Sequence, residues 1–213
     1  MVPTPGRAAP RPLPRRFYLR HPTAVAPELL NKLLVRDDGR VGRIVEVEAY
    51  AGGEDPAAHS YRGRTARNAS MFGPGGHLYV YFTYGMHWCA NAVCGPEGHG
   101  WGVLLRALEP VAGIEHMRSA RGQHLKPREL ASGPGRLGQA MGIDRALDGA
   151  NLVRPDRGIW IASDGTLPPT SPQAGPRIGI RHAVEHAWRW WVPDNAHVSR
   201  GRPGPPAAKR QRT

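Results

Sequence analysis

His77-Leu-Tyr-Val-Tyr-Phe-Thr-Tyr-Gly-Met-His-Trp-Cys-Ala-Asn-Ala-Val93 is the stretch whose reading decides the fold. Up to Thr83 it alternates, with Leu78, Val80 and Phe82 on one face and His77, Tyr79, Tyr81 and Thr83 on the other. A period of two marks a strand with one buried face. Tyr84-Gly85 interrupts the alternation with a glycine suited to positive φ, and a second aromatic, β-prone run follows. The pattern predicts a β-hairpin with Tyr84 at its tip. A core hairpin accounts for Leu78, Val80 and Phe82. It leaves the tyrosines and histidine of the other face, and the large aromatic on the turn, without a role.

Upstream, Arg43-Ile-Val-Glu-Val-Glu-Ala-Tyr50 alternates too. Val45, Val47 and Ala49 point one way; Glu46, Glu48 and Tyr50 share the other face. Such a face is ordinarily solvated. The carboxylates, roughly 7 Å apart along the strand, are also compatible with acid/base work at a glycosidic bond. Ala51 to Phe72 forms a long loop with three arginines in its second half, a length that points to function. Downstream, Gly102 to Leu108 reads as a buried strand whose Arg106 needs a partner, since burying a lone charge is costly.

The rest of the chain supplies the frame. A helix is expected over Ala26–Val35 with Pro27 in its first turn, and Arg36-Asp-Asp-Gly39 should turn the chain between paired strands. Further helices are expected from Val111 to Gly122 and from Pro134 onward. Ile159-Trp-Ile and Arg177-Ile-Gly-Ile read as short strands, and Trp188, Trp190 and Trp191 as core closure. Cys89 and Cys94, the only cysteines, read as free thiols.

The 213 residues suit one domain, and no apolar run approaches a membrane span or a signal region. The expectation is a cytoplasmic protein with no membrane partner. Residues 1–16 carry four arginines and residues 200–213 five basic residues, neither with an acid, so nine of the net +12 lie there. Both tails, rich in Pro, Gly and Ala, are expected to be disordered, flanking a folded unit over 17–199. The charge suits a polyanionic partner without naming one.

His182-Ala-Val-Glu-His186 matches the inverted zinc motif, in which a helix presents two histidines beside a general base. Three fixed letters arise easily in a chain with ten histidines, and no third ligand is evident. No metal and no other cofactor is expected. A zinc hydrolase using His182, Glu185 and His186, and a non-catalytic DNA-binding module, are the alternative readings.

Taken together, residues 43–50, Glu54-Asp-Pro-Ala-Ala-His59, Gly63-Arg-Thr-Ala-Arg-Asn68, Met71-Phe72, 77–86, Asn91, Leu104-Leu-Arg-Ala-Leu-Glu-Pro110 and Glu129-Leu-Ala-Ser-Gly-Pro134 closely resemble the alkyladenine (3-methyladenine) DNA glycosylase family in order and spacing. The resemblance covers nearly all of residues 17–199. It is closer to bacterial members in the short Ser60–Arg64 loop, and departs from the family at His186, where an apolar residue is expected. It implies a single α/β (α+β) domain, with a curved antiparallel sheet, a protruding hairpin and surrounding helices. It further implies a monomeric, monofunctional enzyme acting on double-stranded DNA containing damaged purines.

The resemblance also assigns roles. Tyr84 corresponds to the intercalating wedge, filling the gap left by a flipped nucleotide. Tyr50 on one side, with His59 and Tyr81 on the other, corresponds to the aromatic sandwich around the base. Asn91 corresponds to the residue that crowds the amino group of normal guanine. Glu48 corresponds to the general base, and Arg106 with the main-chain carbonyl of Ile178 to the groups that hold its water. Glu46 has no such assignment and is expected to be structural.

Overall fold

A computed structural model of the chain describes residues 10–201. Its central strand is the one that carries the paired glutamates. Val41–Ala51 (β2) runs antiparallel to Trp101–Ala112 (β5) along one edge. Its other edge is shared between Leu33–Arg36 (β1), which pairs with its first residues, and Arg189–Trp191 (β8), which pairs with Glu46 to Glu48. His87–Cys94 (β4) and Leu78–Thr83 (β3) extend the sheet beyond β5. Ile159–Ala162 (β6) extends it beyond β1, and Gln173–Gly175 (β7) adds to β8. All these pairings are antiparallel. The β2–β5 register shifts near Val41 and on both sides of Glu46, and such bulges bend and twist a strand. The expected curved antiparallel sheet results.

Short helices cover the sheet: Arg15–Tyr18 (α1), Pro22–Leu29 (α2), Ile114–Arg121 (α3), Pro127–Leu130 (α4) and Pro134–Met141 (α5). The main core joins Leu34, Ile44, Leu105 and Leu108 of the sheet to Leu29, Met117, Leu130 and Leu137 of the helices, all fully buried. Each such side chain contributes ~1.5–3 kcal/mol by leaving water. Helix α5 lies directly on β4 because residue 138 is glycine: a Cβ there would sit 2.2 Å from the Trp88 carbonyl oxygen.

The hairpin forms as expected. Tyr84 and Gly85 both take positive φ, 52° and 66°, and the Met86 amide closes the turn on the Thr83 carbonyl. That is the backbone a tight hairpin requires, and a non-glycine residue adopts it reluctantly.

Several local expectations are corrected. The helix expected over Ala26–Val35 lies earlier, at Pro22–Leu29, with His21 capping it and Pro22 at its start. Asn31 then takes φ 65° and turns the chain, so Leu33 and Leu34 belong to β1. Strand β5 runs through Val111 to Ala112, and the following helix starts only at Ile114 after Gly113 at φ 67°. Arg177 to Ile180 is not a strand but a series of bends, with Gly179 at φ 76°. Nor does packing begin at residue 17. Pro12 bridges Ala162, Leu13 is buried, and the Arg15 guanidinium bonds the Gly75 carbonyl. The tails expected to be disordered otherwise lie in residues 1–9 and 202–213, outside the described residues. Among the described residues, no helix is long and apolar enough to cross a membrane.

Candidate active site

Glu46 and Glu48 do not form a solvated face. Both side chains are completely buried, because the C-terminal part of the chain, from Arg177 to Ser199, folds over them. A buried carboxylate is tolerated only when its oxygens are hydrogen-bonded. Glu48 Oε1 accepts from the Ile178 amide at 2.7 Å and pairs with Arg106 Nη1 at 3.1 Å. Its Oε2 accepts from the Tyr50 hydroxyl at 2.8 Å. Ile178 thus meets Glu48 through its N–H, whereas the resemblance had pointed to its carbonyl as a ligand for water.

Arg106 has its partner, and more than one. Its Nε donates to Glu46 Oε1 at 2.9 Å while Nη1 faces Glu48. Glu46 takes further bonds from Arg189 Nε at 2.7 Å and from both the amide and hydroxyl of Ser199. Burial alone would raise its pKa, but Arg106, Arg189 and Ser199 outweigh burial and hold it below the usual range.

Above this cluster opens a cavity of about 300 Å³. Tyr50, Arg106 and Ile178, the three partners of Glu48, all line it, which puts the carboxylate directly beneath the floor. His59, Tyr79 and Tyr81 form the opposite wall. The rings of Tyr79 and Tyr81 stack at 5.5 Å, and His59 meets Tyr81 edge-on at 4.4 Å. Burial, with Arg67 second, lowers the pKa of His59, and burial raises those of Tyr50 and Tyr81. The wall is therefore uncharged at neutral pH. Asn91, almost fully buried, also lines the cavity, and Tyr84 stands at its mouth with 79% of its surface exposed. The structure thus gathers Tyr50, His59, Tyr81, Asn91, Arg106, Ile178 and Tyr84 around one cavity, with Glu48 below it.

The loop Ala51 to Phe72 is ordered by its own polar residues. Asn68 accepts from Thr65 and donates to the carbonyls of His59 and Gly63. Arg67 Nη2 donates to the Phe82 carbonyl at 3.0 Å, tying the loop to the hairpin.

Sequence reasoning missed the pair that fixes the first part of this loop. Asp55 and Arg177 are both buried and joined by two bonds, one of them 2.9 Å. The Arg177 guanidinium also lies 4.7 Å from the Tyr50 ring centre and 5.2 Å from that of Trp188. Asp55 falls in a stretch quoted for the family resemblance, but an acid before proline in a loop gives no sign of a partner 122 positions away. Tyr79 was seen only as one of a crowd of tyrosines.

The residues of the zinc motif separate. Residues 182–186 form bends and a turn with no helix, so the two histidines share no helical face. His182 lines the cavity, whereas His186 stacks on Trp188 at 4.4 Å. Among the described residues no group of three or more His, Cys, Asp or Glu side chains is arranged to hold a metal ion.

Comparison with known proteins finds relatives along nearly the whole chain. Residues 16–196 match the family model described as methylpurine-DNA glycosylase (MPG). A Burkholderia lata protein named "Putative 3-methyladenine DNA glycosylase" is 60% identical over 198 residues, covering 91% of this chain and 96% of its own. A Streptomyces avermitilis protein of the same name is 47% identical over 215 residues, covering 99% of this chain and all of its own. With a family match across most of its length and such relatives at nearly full coverage, the chain belongs to the methylpurine-DNA glycosylase family.

Proposed function

We propose that this DNA glycosylase is monofunctional, flips alkylated or deaminated purines out of double-stranded DNA, and hydrolyses their N-glycosidic bond with a water activated by Glu48. The observation that carries this reading is a buried carboxylate under the floor of an aromatic cavity with an exposed tyrosine at its mouth. An enzyme acting on a base must first take it from the stack. Tyr84, exposed on the hairpin turn, fills the vacated space. The cavity's volume lies at the small end of ligand sites and suits one base rather than a longer segment.

In the reaction, the C1′–N bond breaks and its electron pair leaves with the purine: a cationic methylated base departs neutral, and a deaminated one departs as an anion that takes up a proton from solvent. The sugar becomes cationic, water oxygen bonds to C1′, and Glu48 takes the water's proton. The products are an abasic site and the free base. The Glu48 carboxylate also stabilises the sugar's developing charge. Arg106 and the Ile178 amide keep the Glu48 carboxylate aimed at the floor. Neutral rings on both sides accept a cationic methylated purine without charge repulsion, each face contributing ~0.5–2 kcal/mol. Among the described residues, no lysine lines the cavity. That favours water over an amine as the nucleophile, since an amine would form a Schiff base at C1′.

The test is incubation of purified protein with duplex carrying one hypoxanthine or with methylated DNA. Release of free base, with the strand cut only after alkali, supports the reading. Tight binding without release would make the protein a DNA-binding module, and strand cleavage without alkali would remove the monofunctional assignment.

A further inference from the structure

Glu46 lies outside the cavity lining, yet it is among the most heavily bonded side chains of the site. Its Oε1 accepts from Arg106 Nε, Arg189 Nε and the Ser199 hydroxyl, and its Oε2 from the Ser199 amide. Arg106 is thereby held on every edge: Nε by Glu46 at 2.9 Å, Nη1 by Glu48 at 3.1 Å, and Nη2 by the Ser199 hydroxyl at 3.4 Å. A guanidinium is planar, so fixing Nε and Nη2 fixes the direction of Nη1. None of those three anchors lines the cavity, and one comes from the last part of the described chain.

We propose that Glu46 and Ser199 are positioning residues that set Arg106 against Glu48, so the segment around Ser199 completes the catalytic centre. This rests on the reading of Glu48 as the base.

The arrangement also sets the charge that Glu48 experiences. On its own strand it faces Glu46 and Tyr50. Arg106 faces it from β5 and Arg189 from the paired position on β8. Arg177 comes from the bend before Ile178, and Tyr81 and Cys89 from the hairpin. Tyr50, Tyr81 and Cys89 are kept protonated at neutral pH, chiefly by burial, so the charged neighbours are Glu46 and the arginines. Glu46 neutralises much of that positive charge. Without it, the positive charge of Arg106 and Arg189 faces Glu48 uncompensated.

The experiment uses full-length protein with Glu46→Gln, Ser199→Ala and, in parallel, Glu48→Gln. Single-turnover release of hypoxanthine is followed from pH 4 to 9, with duplex affinity measured separately. Glu46→Gln should slow the saturated rate about 10- to 100-fold, the scale expected for a misplaced catalytic group. Affinity for damaged duplex should stay within about twofold, and the acid limb of the pH–rate profile should move to lower pH. Ser199→Ala, a smaller change that removes the hydroxyl's bond to Glu46 and its longer one from Arg106, should slow the rate about fivefold.

Wild-type rates in both variants overturn the proposal. So does a parallel loss of rate and affinity with an unmoved acid limb, which would show a merely structural role. If Glu46→Gln does not fold, Ser199→Ala decides alone: a rate within twofold of wild type overturns the proposal. An active Glu48→Gln overturns the assignment of the base itself. An inactive Glu48→Gln beside wild-type Glu46→Gln and Ser199→Ala removes only this inference.

Discussion

Replacing Glu48 by glutamine separates the structure of the site from its chemistry. The amide is isosteric with the carboxylate, and its oxygen can still accept from the Ile178 amide and Arg106 Nη1. Its nitrogen then faces the Tyr50 hydroxyl, which now donates to Glu48 at 2.8 Å. Tyr50 keeps its proton because burial, and secondarily Glu48, raises its pKa, and a phenol oxygen can accept as well as donate. The hydroxyl need only rotate. Arg106 loses one carboxylate but keeps Glu46. The folding cost should therefore be that of one weakened charge-assisted bond, about 1–2 kcal/mol. The cost in rate is larger. General-base assistance is worth about 10²–10⁴-fold, and the charge opposing the sugar cation is lost as well. We expect a fall in single-turnover rate of at least about 10³-fold, or ~4 kcal/mol of barrier. Excess enzyme, a hypoxanthine duplex and alkaline cleavage at the abasic site measure that rate, and fluorescence anisotropy measures affinity. A variant within tenfold of wild type would refute the assignment. So would an inactive Glu46→Gln beside an active Glu48→Gln.

Asn91→Ser should raise excision of undamaged guanine relative to hypoxanthine, because Asn91 lines the cavity and is proposed, from the family resemblance, to crowd the guanine amino group. An unchanged ratio removes Asn91 from selectivity. EDTA should leave base release untouched; loss of activity restored by zinc would return the hydrolase reading of His182 and His186. A chain of residues 10–201 lacks five basic residues and no acid. It should bind duplex more weakly, with a salt slope shallower by up to about 4.5, while its saturated excision rate stays at the full-length value. A tenfold slower rate would show that those residues shape the flipped complex. Finally, Asp164 is held below the usual carboxylate range chiefly by its hydrogen bond to Arg43, and Glu46 by arginines that outweigh its burial. Depressed values stabilise the fold above the ordinary carboxylate pKa of about 4 and lose that contribution as pH falls below it. His59, whose pKa is lowered, already costs some stability as pH falls below about 6.5. Urea midpoints should thus fall on acidification, with the carboxylate part of the loss between about pH 5 and 3, and a midpoint that rises would contradict the sign.

What could be read in the sequence was whatever has a short period or a local cause. The alternation of Leu78 to Thr83 and the Tyr84-Gly85 turn are both local, and both form. The same holds for the turn at Arg36 to Gly39 and for Pro134 at the start of α5. Errors arose where one pattern served two elements. The leucines from Leu29 to Leu34 space like one helix face but are divided by Asn31 between α2 and β1. Arg177 to Ile180 alternates like a strand, yet Arg177 turns inward to Asp55 and the Ile178 amide is taken by Glu48. Alternation also predicted correctly that Glu46, Glu48 and Tyr50 share a face, but not that the face is sealed. Burial there depends on Ser199 and Ile178, more than a hundred residues away, and no local pattern records such a partner.

The Asp55–Arg177 pair has a consequence for how the cavity selects its guest. Asp55 opens the loop that carries His59, and Arg177 adjoins Ile178 at the floor, so one ion pair ties two irregular segments from distant parts of the chain. The guanidinium also backs the Tyr50 ring. The gap between the aromatic walls is thus a fixed gauge, set when the chain folds rather than when a base arrives. On the proposed reading, ordering the walls then costs little at the moment of recognition, and the dimensions of a base add to its charge and its fit against Asn91 in deciding whether it enters. Loosening the gauge would leave Glu48 with Arg106 and its other partners in place. Such a protein would err in which bases it removes before it failed to remove them.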